Sequence, residues 1–271
     1  MPREAVFIKI PKELIMQCLI DGAAVHVETA GSGDVALLLV HGACHDHRAW
    51  SPLLDALGDC GIALYAPDLP GHGASAGPAL GDVTELGSWL LRLLDACGLA
   101  RCALAGHSMG SLVALHAAAL APQRVSHLAL VGSAWPMRVA PRLLELARQQ
   151  PDEALQRVAA WSQRADAPAE RTARDLEQMR EVQRGGGDAN LIALDLAACD
   201  AYAEAPQRCA QVRARCALLL GTHDRMTPPA AAQSLQQALP QPQLVSFDSG
   251  HDLMAEVPQP LAHALRELLA S

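Results

Sequence analysis

Ser108 lies between two glycines in the pentapeptide GHSMG, where an apolar run gives way to a helical pattern. The pattern G-x-S-x-G at the end of a predicted strand that opens a helix is typical of a serine exposed on a sharp turn. Gly106 and Gly110 leave room for that turn, since neither carries a side chain. A serine hydroxyl is a weak nucleophile until a base takes its proton, so this chemistry also requires a histidine and an acid that orients it. The alternative interpretation is an ordinary turn between a strand and a helix.

An acid and a histidine follow two later apolar runs. Asp224 comes shortly after CALLLG, and His251 comes shortly after QLVSF. If these runs are parallel strands, their carboxyl ends lie at one edge of a sheet and bring both side chains toward Ser108. Asp224 could instead be a turn residue or a helix N-cap, and His223 and Asp248 are the competing base and acid.

The sequence also predicts backbone N–H groups that could bind a negatively charged oxygen. Attack by Ser108 on a carbonyl produces a tetrahedral oxyanion, and removing one of its donors typically costs about 2.7–4 kcal/mol. The Met109 N–H directly follows the serine at a helix N-terminus, where the helix dipole favours negative charge. We expect the second donor, the Ala43 N–H, in the loop after VALLLV, because Gly42 permits the turn that aims it.

Hydrophobic periodicity predicts the strands and helices that must position these residues. Asp21-Gly22 separates two short strands, LIMQCLI and AAVHVE, and is a hairpin signal. The run VALLLV has no alternation, which is typical of a strand buried on both faces. Helical and strand patterns then alternate, so we predict an α/β fold with a mostly parallel sheet flanked by helices. The predicted helices are 50–60, 83–97 and 110–121, and the predicted strands are 63–68, 102–106, 127–132, 216–220 and 243–247.

One segment interrupts this alternation. Strand signals are absent from about residue 135 to 212, and helix-forming residues, prolines and a glycine run at 185–187 take their place. We therefore predict one α/β domain formed by residues 1–134 and 213–271, with residues 135–212 inserted as a helical lid. The glycine run is interpreted either as a hinge or as a plain surface loop.

Composition excludes several classes of partner. The 271 residues are 51% hydrophobic and 18% charged, which is typical of a globular protein, and the net charge of −8 comes without a basic cluster that would attract nucleic acid. The apolar runs are shorter than the roughly 20 residues that span a bilayer, and charged residues interrupt the N-terminal segment, so we expect no membrane partner and no signal peptide. Eight scattered cysteines are expected to be small buried hydrophobic residues in a reducing, cytoplasmic setting. Monomer and homodimer both stay open.

Five blocks together resemble the α/β-hydrolase fold family: LLLVHGACHDHRAW, YAPDLPGHGAS, AGHSMGS, LLLGTHDRMTP and SGHDLM. They occur in the family's order, and the segment they leave out is the predicted lid. The resemblance implies that Ser108 is the nucleophile, His251 the general base and then acid, and Asp224 the acid that orients it. It also implies that Ala43 and Met109 donate N–H groups to the oxyanion and that no metal or organic cofactor is required. A serine at this position argues against haloalkane dehalogenases and most epoxide hydrolases of the family, which use an aspartate there.

The loop Cys44-His45-Asp46-His47 has the residue types of a metal site, but its spacing matches no zinc pattern. In the family this loop lines the mouth of the pocket, so Cys44 and His45 are candidate pocket residues. Metal binding by the four side chains is the less favoured alternative, and we predict no metal site.

Four large side chains of the predicted lid are further candidates for the substrate pocket. Trp135, Met137, Trp161 and Met179 could form an acyl or aromatic pocket that faces the nucleophile. Packing within the lid is the alternative for each of them, because helical spacing of apolar residues more often reflects packing.

Three polar residues within the blocks are interpreted as structural. His107 occupies a variable position beside the serine, and His72 lies in the loop LPGHG. Asp68, at the start of that loop, is expected to accept hydrogen bonds that stabilise the turn.

These residues predict a serine hydrolase that cleaves a small to medium carboxylic ester or a related acyl compound. Ser108 would form an acyl-enzyme that water cleaves, and activity would rise with pH as His251 loses its proton. An acyltransferase or cofactor-free perhydrolase, which passes the acyl group to another acceptor, is one alternative. A carbon–carbon bond hydrolase with the same triad and a ligand receptor with slow turnover are the others.

Overall fold

Eight strands form one sheet in the computed structural model, which describes residues 14–58 and 60–271. In chain order they are β1 Leu14–Ile20, β2 Ala23–Ala30, β3 Val35–Val40, β4 Ile62–Pro67, β5 Cys102–His107, β6 Val125–Val131, β7 Arg215–Gly221 and β8 Gln243–Phe247. Their spatial order across the sheet is β1-β2-β4-β3-β5-β6-β7-β8. The prediction that the N-terminal segment lacks a signal peptide concerns residues 1–17, of which residues 1–13 lie outside the described residues.

Strand direction divides the sheet into two parts. β1 and β2 form an antiparallel hairpin, and β2 also runs antiparallel to β4. From β4 to β8 every neighbouring pair is parallel, which confirms the predicted mostly parallel sheet. The predicted hairpin turn is confirmed too, since Asp21 and Gly22 have positive φ angles of 53° and 82°, as a two-residue type I′ turn requires.

Helices cover both faces of the sheet. In β3, Leu38 and Val40 belong to one apolar cluster while Leu37 and Leu39 belong to another, which confirms a strand buried on both faces. The first cluster, which contains Leu38 and Val40, is completed by four helices: α2 Val83–Ala96, α3 Met109–Leu120, α8 Ala205–Cys209 and α9 Gln233–Ala238. The second cluster, which contains Leu37 and Leu39, is completed by three: α1 Ser51–Leu57, α10 Leu253–Glu256 and α11 Pro258–Ala270.

The helices between β6 and β7 differ in where they pack. Those that precede α8 are α4 Pro141–Gln149, α5 Pro151–Ser162, α6 Ala169–Gly185 and α7 Leu191–Ala201. All four contribute to a third apolar cluster, which Cys44 enters from the loop after β3. α8 instead packs with α3 in the first cluster. No helix in the described ranges combines the length and the apolar character needed to cross a bilayer.

The loops that could carry chemistry leave the sheet at one edge. β3, β5, β7 and β8 are parallel, so the loops that follow them begin at the same side. Ser108 lies directly after β5, Asp224 three residues after β7, and His251 four residues after β8.

Candidate active site

The turn that carries Ser108 is strained and tightly packed. Ser108 has φ 51° and ψ −119°, a conformation that typically costs a non-glycine residue about 1–3 kcal/mol. A Cβ atom on Gly106 would lie 2.1 Å from the Gly110 carbonyl oxygen, and one on Gly110 would lie 2.3 Å from the Val40 carbonyl oxygen. Both flanking glycines are therefore required by close backbone approach, as the sequence pattern predicts.

His251 and Asp224 form a buried pair. The His251 Nδ1 atom lies 2.7 Å from Asp224 Oδ2, and both side chains are almost fully excluded from solvent. The second carboxylate oxygen accepts the backbone N–H groups of Met226 and Thr227, at 2.8 and 2.7 Å. Because Asp224 accepts here, Nδ1 of His251 carries its proton and Nε2 is left as a proton acceptor.

The electrostatics of Asp224 favour its ionised form. Burial raises the pKa of a carboxyl group, but the charge and hydrogen bond of His251 outweigh that effect. The Thr227 N–H and hydroxyl add to it, the hydroxyl lying 2.7 Å from Oδ2. The pKa of Asp224 is therefore held well below its usual value.

Ser108 and His251 open onto the same cavity. No hydrogen bond joins the Ser108 hydroxyl to His251 within the described part of the chain. Hydrogen bonds between a nucleophile and its base are often long in a free enzyme and tighten when substrate is bound. Both side chains line one cavity, which the proposed pairing of nucleophile and base requires.

The loop that carries His251 is held from two sides. His107 Nε2 lies 2.9 Å from the His251 carbonyl oxygen, and the two rings pack with centroids 4.6 Å apart. Burial, followed by the charge of His251, lowers the pKa of His107 well below its usual value, so it donates as a neutral imidazole. From the other side, the Ser162 carbonyl at the end of α5 accepts the N–H groups of His251 and Asp252, at 2.7 and 3.1 Å. Sequence reasoning missed this last contact, because a backbone carbonyl has no sequence signal.

The predicted oxyanion donors lie beside the serine. Met109 is the first residue of α3, and Ala43 lines the cavity that Ser108 opens onto. A Cβ atom on Gly42 would lie 3.3 Å from the Ser108 Cβ, so the loop that carries Ala43 packs directly against the serine. The donor role of both N–H groups stays a prediction.

The cavity has a volume of about 210 Å³ and mostly apolar walls. Trp161, which is 38% exposed, is among its lining residues and is one of the large apolar side chains that reach solvent. Arg138 and Arg225 line the cavity as well, and so does His45. The apolar lining residues include Met137, Val139, Ala140, Leu143, Val158, Leu196, Cys199 and Met226.

The predicted pocket residues divide into two groups. His45, Met137 and Trp161 line the cavity, and their role in binding substrate stays a prediction. Three others do not, and the expectation for them is corrected: Cys44, Trp135 and Met179.

The three exceptions are explained by packing. Cys44 and Met179 are fully buried in the apolar cluster of the inserted helices, where the Cys44 thiol lies 3.7 Å from the Met179 carbonyl oxygen. Trp135 packs against the cluster formed with α2 and α3 instead. Helical spacing alone does not separate residues that pack within a helical layer from those that line a cavity beneath it.

An ion pair between His45 and Asp175 joins the loop after β3 to α6. His45 Nε2 lies 2.9 Å from Asp175 Oδ1, and its Nδ1 lies 2.8 Å from the Ala43 carbonyl oxygen. Burial alone would lower the pKa of His45, but the hydrogen bond and charge of Asp175 raise it to about 9. Burial and then the charge of Asp175 raise the pKa of nearby Asp252 to about 6. Sequence reasoning placed His45 near the pocket but did not predict Asp175 as its partner.

The competing base and acid bond to each other. His223 Nε2 lies 2.8 Å from Asp248 Oδ1, and their side chains are 53% and 77% exposed. Arg164 also pairs with Asp248. This group lies at the surface, whereas the predicted pair is buried at the cavity.

The four residues of the candidate metal loop diverge. The Cys44 N–H bonds Asp195, and His45 bonds Asp175 as described. The Asp46 side chain pairs with Arg48, and His47 bonds Asp68. The four side chains therefore share no common centre.

The chain belongs to the alpha/beta hydrolase family, because the family's model matches residues 37–264. This confirms the resemblance carried by the five sequence blocks. The match spans the strands after the hairpin, the inserted helices and the three predicted catalytic positions.

Known relatives carry transferase and esterase names. The chain is 47% identical over 112 residues to the dihydrolipoyllysine-residue acetyltransferase component of the acetoin cleaving system of Pseudomonas putida. That alignment covers 40% of this chain and 29% of the relative, so the chain spans less than a third of the relative's length. It is 29% identical over 252 residues to the pimeloyl-(acyl-carrier protein) methyl ester esterase of Nitrosomonas europaea, covering 88% of this chain and 96% of that protein.

A solved structure has the same fold. The enol-lactonase from Burkholderia xenovorans LB400 superposes with a TM-score of 0.81 and 24% sequence identity. The superposition covers 94% of this chain and 100% of the lactonase. At this level of identity the similarity concerns the fold alone.

Proposed function

We propose that the protein is a serine hydrolase that cleaves small to medium carboxylic esters or related acyl compounds. The observation that carries the proposal is the buried His251–Asp224 pair, whose imidazole opens onto the same cavity as the Ser108 hydroxyl. Membership of the alpha/beta hydrolase family supports the same class of reaction.

In the proposed reaction, Ser108 Oγ attacks the carbonyl carbon while His251 Nε2 takes the hydroxyl proton. Asp224 keeps the Nδ1 proton in place and stabilises the imidazolium that forms. The oxyanion accepts hydrogen bonds from the N–H groups of Ala43 and Met109. His251 then gives the proton to the leaving alcohol, and a water activated by the same imidazole releases the acid. These steps use side chains, backbone and water.

The cavity supports an uncharged acyl group as substrate. Its volume of about 210 Å³ and its apolar walls suit a short hydrocarbon chain. Each buried methylene contributes about 0.8 kcal/mol, so affinity rises with chain length until the cavity is filled. Arg138 and Arg225 also line the cavity, and both already donate to backbone carbonyls, Arg138 to Asp200 and Arg225 to Ala160 and Gln163.

We also propose that residues 135–212 act as a lid that sets specificity. Leu143 of α4, Val158 and Trp161 of α5, and Leu196 of α7 supply cavity wall. The sheet and its loops supply the reacting groups, so the inserted helices determine the size and shape of the acyl pocket.

A reducing, cytoplasmic setting and a small-molecule substrate belong to the same proposal. All eight cysteines lie in the described part of the chain as free thiols, and five of them are buried. Thiols of this kind are typical of proteins in reducing compartments.

The test is turnover of p-nitrophenyl esters of increasing chain length by the wild type and the Ser108→Ala variant. We expect kcat to fall by at least about 10³-fold in Ser108→Ala, because the acyl-enzyme cannot form. Ser126→Ala is the matched control, since this hydroxyl bonds the Cys102 carbonyl on the sheet, outside the cavity, and its loss should leave kcat unchanged. Undiminished turnover in Ser108→Ala would refute the proposal.

Acyl transfer is the second candidate. The Pseudomonas putida relative is named an acetyltransferase component, and the same acyl-enzyme serves transfer and hydrolysis. Methanol or hydrogen peroxide supplied in competition with water distinguishes them, because a transferase forms the ester or peracid in preference to the acid. A turnover number far below about 1 per second on every ester, with a ligand-dependent rise in Tm, would instead favour the receptor.

A further inference from the structure

A second group of potential ligands lies outside the cavity. His26, His47 and Asp68 each offer one ligand atom, and these atoms all lie within 4.8 Å of one another. The Glu28 Oε2 atom lies 3.6 Å from His26 Nε2. Two imidazoles and one carboxylate therefore form the group, and the Glu28 carboxylate lies beside its His26 member; none of the four residues lines the proposed substrate cavity.

The sheet places these residues together by its own pairing. His26 and Glu28 are two residues apart on β2, so they point to the same face. Asp68 follows β4, the antiparallel partner of β2, and its N–H bonds the His26 carbonyl oxygen at 3.0 Å. The Ser75 hydroxyl accepts the His26 N–H at 3.0 Å and donates to the Asp68 carbonyl at 2.8 Å. These bonds fix the backbone around the group without using the side chains of the candidate ligands.

The Nε2 atom of His26 has no hydrogen-bond partner among the described residues. Its side chain is only 9% exposed, and Nε2 is buried without a hydrogen bond in the described chain. The Glu28 oxygen at 3.6 Å is too distant for a hydrogen bond. Buried polar atoms are nearly always satisfied, so this nitrogen indicates a missing partner.

His47 already interacts with the Asp68 carboxylate. Its Nδ1 lies 2.7 Å from Asp68 Oδ1, and the rings of His26 and His47 pack with centroids 4.4 Å apart. Asp68 Oδ1 also accepts the His47 N–H, and Oδ2 accepts the Ala74 N–H, which orients the carboxylate. Hydrogen bonds of this kind from neighbouring groups are typical of carboxylates that bind metals.

We propose that His26, Glu28, His47 and Asp68 bind one divalent transition-metal cation, with Zn²⁺ as the preferred ion. Imidazole nitrogen and carboxylate oxygen are both zinc ligands, at about 2.0–2.2 Å from the metal. A tetrahedral site with such bonds separates its ligand atoms by about 3.3–3.6 Å, and the distance from His26 to Glu28 agrees with this. Binding at His47 displaces the proton shared with Asp68, which leaves to solvent, and the two ligand atoms then separate around the cation.

The site would stabilise the loops that position the proposed oxyanion donor. It joins β2 to the loop after β3, which carries Ala43, and to the loop after β4. Because its ligands lie outside the cavity, the cation would contribute to stability rather than to the reaction. Binding to the folded state raises Tm as the free metal concentration rises above Kd.

Calorimetric titration of ZnCl₂ into the chelator-treated full chain tests the proposal. We expect one equivalent to bind, with about one proton released, measured by repeating the titration in buffers of different ionisation enthalpy. His26→Gln and Glu28→Gln should each weaken binding by at least about tenfold. The matched control is His263→Gln, which removes an exposed histidine 3.3 Å from Glu267 on α11 and should leave Kd unchanged.

Three outcomes would overturn the inference. These are no Zn²⁺ binding by the wild type, Kd values in both ligand variants equal to that of the wild type, and loss of binding in His263→Gln alone. Circular dichroism shows whether His26→Gln folds. If it does not, Glu28→Gln decides the matter, because this side chain is more exposed than His26.

Discussion

The Asp224 carboxylate is the most heavily hydrogen-bonded group of the proposed triad. It accepts from His251, from the Met226 and Thr227 N–H groups, and from the Thr227 hydroxyl. Together these donors fix the orientation of the carboxylate and keep it charged. The orientation of His251 is therefore set by the loop after β7 rather than by the substrate.

Replacing Asp224 with Asn should lower kcat by about 10³–10⁴-fold on p-nitrophenyl esters, because the amide favours the wrong tautomer of His251. Asp248→Asn is the matched control, since that carboxylate is exposed and bonds His223. Similar kcat values for Asp224→Asn and the wild type would contradict the assigned role.

The same carboxylate predicts how stability depends on pH. The pKa of Asp224 is lowered in the folded state, so its contribution to folding is present above the ordinary value of about 3.9. It is lost as pH falls below that value. Urea unfolding should therefore give a free-energy difference between the wild type and Asp224→Asn that is constant from pH 7 to about 5 and shrinks in stronger acid.

The turn between β5 and α3 shows how two elements can hold one strained residue. Ser108 keeps a positive φ because the strand before it and the helix after it are both fixed in the first apolar cluster. The close approach of Gly106 and Gly110 to the neighbouring backbone leaves no alternative path for the chain.

Gly110→Ala should therefore destabilise the protein by about 3 kcal/mol or more, because the added Cβ would overlap the Val40 carbonyl. Gly185→Ala is the matched control. It lies at the end of α6, and the nearest atom to an added Cβ is the Gly73 carbonyl oxygen at 3.7 Å, an ordinary contact. Thermal unfolding of both variants checks the prediction, which is wrong if their Tm values are equal.

Local sequence signals predicted the strands because each apolar run is bounded by a turn or a charged residue. They also predicted the positions of Ser108, Asp224 and His251, since each follows the end of a parallel strand. Helix ends were less accurate: the predicted helix 50–60 ends at Leu57, because Gly58 adopts φ 50° and terminates it. Such an end depends on backbone conformation, which periodicity does not report.

Contacts between the inserted helices and the sheet could not be predicted in this way. The burial of Cys44 against Met179 and the bond from His45 to Asp175 join residues more than a hundred positions apart. Those contacts depend on how α6 docks, and a single sequence gives helical faces but not their partners.

One of these contacts couples the insertion to the proposed oxyanion loop. Protonated His45 bonds both Asp175 on α6 and the carbonyl of Ala43. The pKa of His45 is raised to about 9 in the folded state, above its ordinary value of 6.5. Its contribution to stability is therefore complete below about pH 6.5 and is lost as pH rises through 9.

His45→Gln should reduce the free energy of unfolding at pH 6 and have little effect above pH 9, as measured by urea unfolding. It should also lower kcat by about tenfold with little change in KM, because the Ala43 N–H would be less well placed for the oxyanion. His223→Gln, which removes an exposed histidine paired with Asp248, is the control. A difference in stability that does not vary with pH would show that His45 acts through packing alone.

The hydrogen bonds that the Ser162 carbonyl accepts limit how far α5 can move when substrate enters. This carbonyl ends α5 and accepts the N–H groups of both His251 and Asp252. If α5 moved away from the sheet, the backbone N–H groups of His251 and Asp252 would lose this acceptor, and the loop that carries the proposed base would lose one of its two supports. We therefore expect substrate to reach the cavity beside the exposed Trp161 side chain while α5 keeps its place.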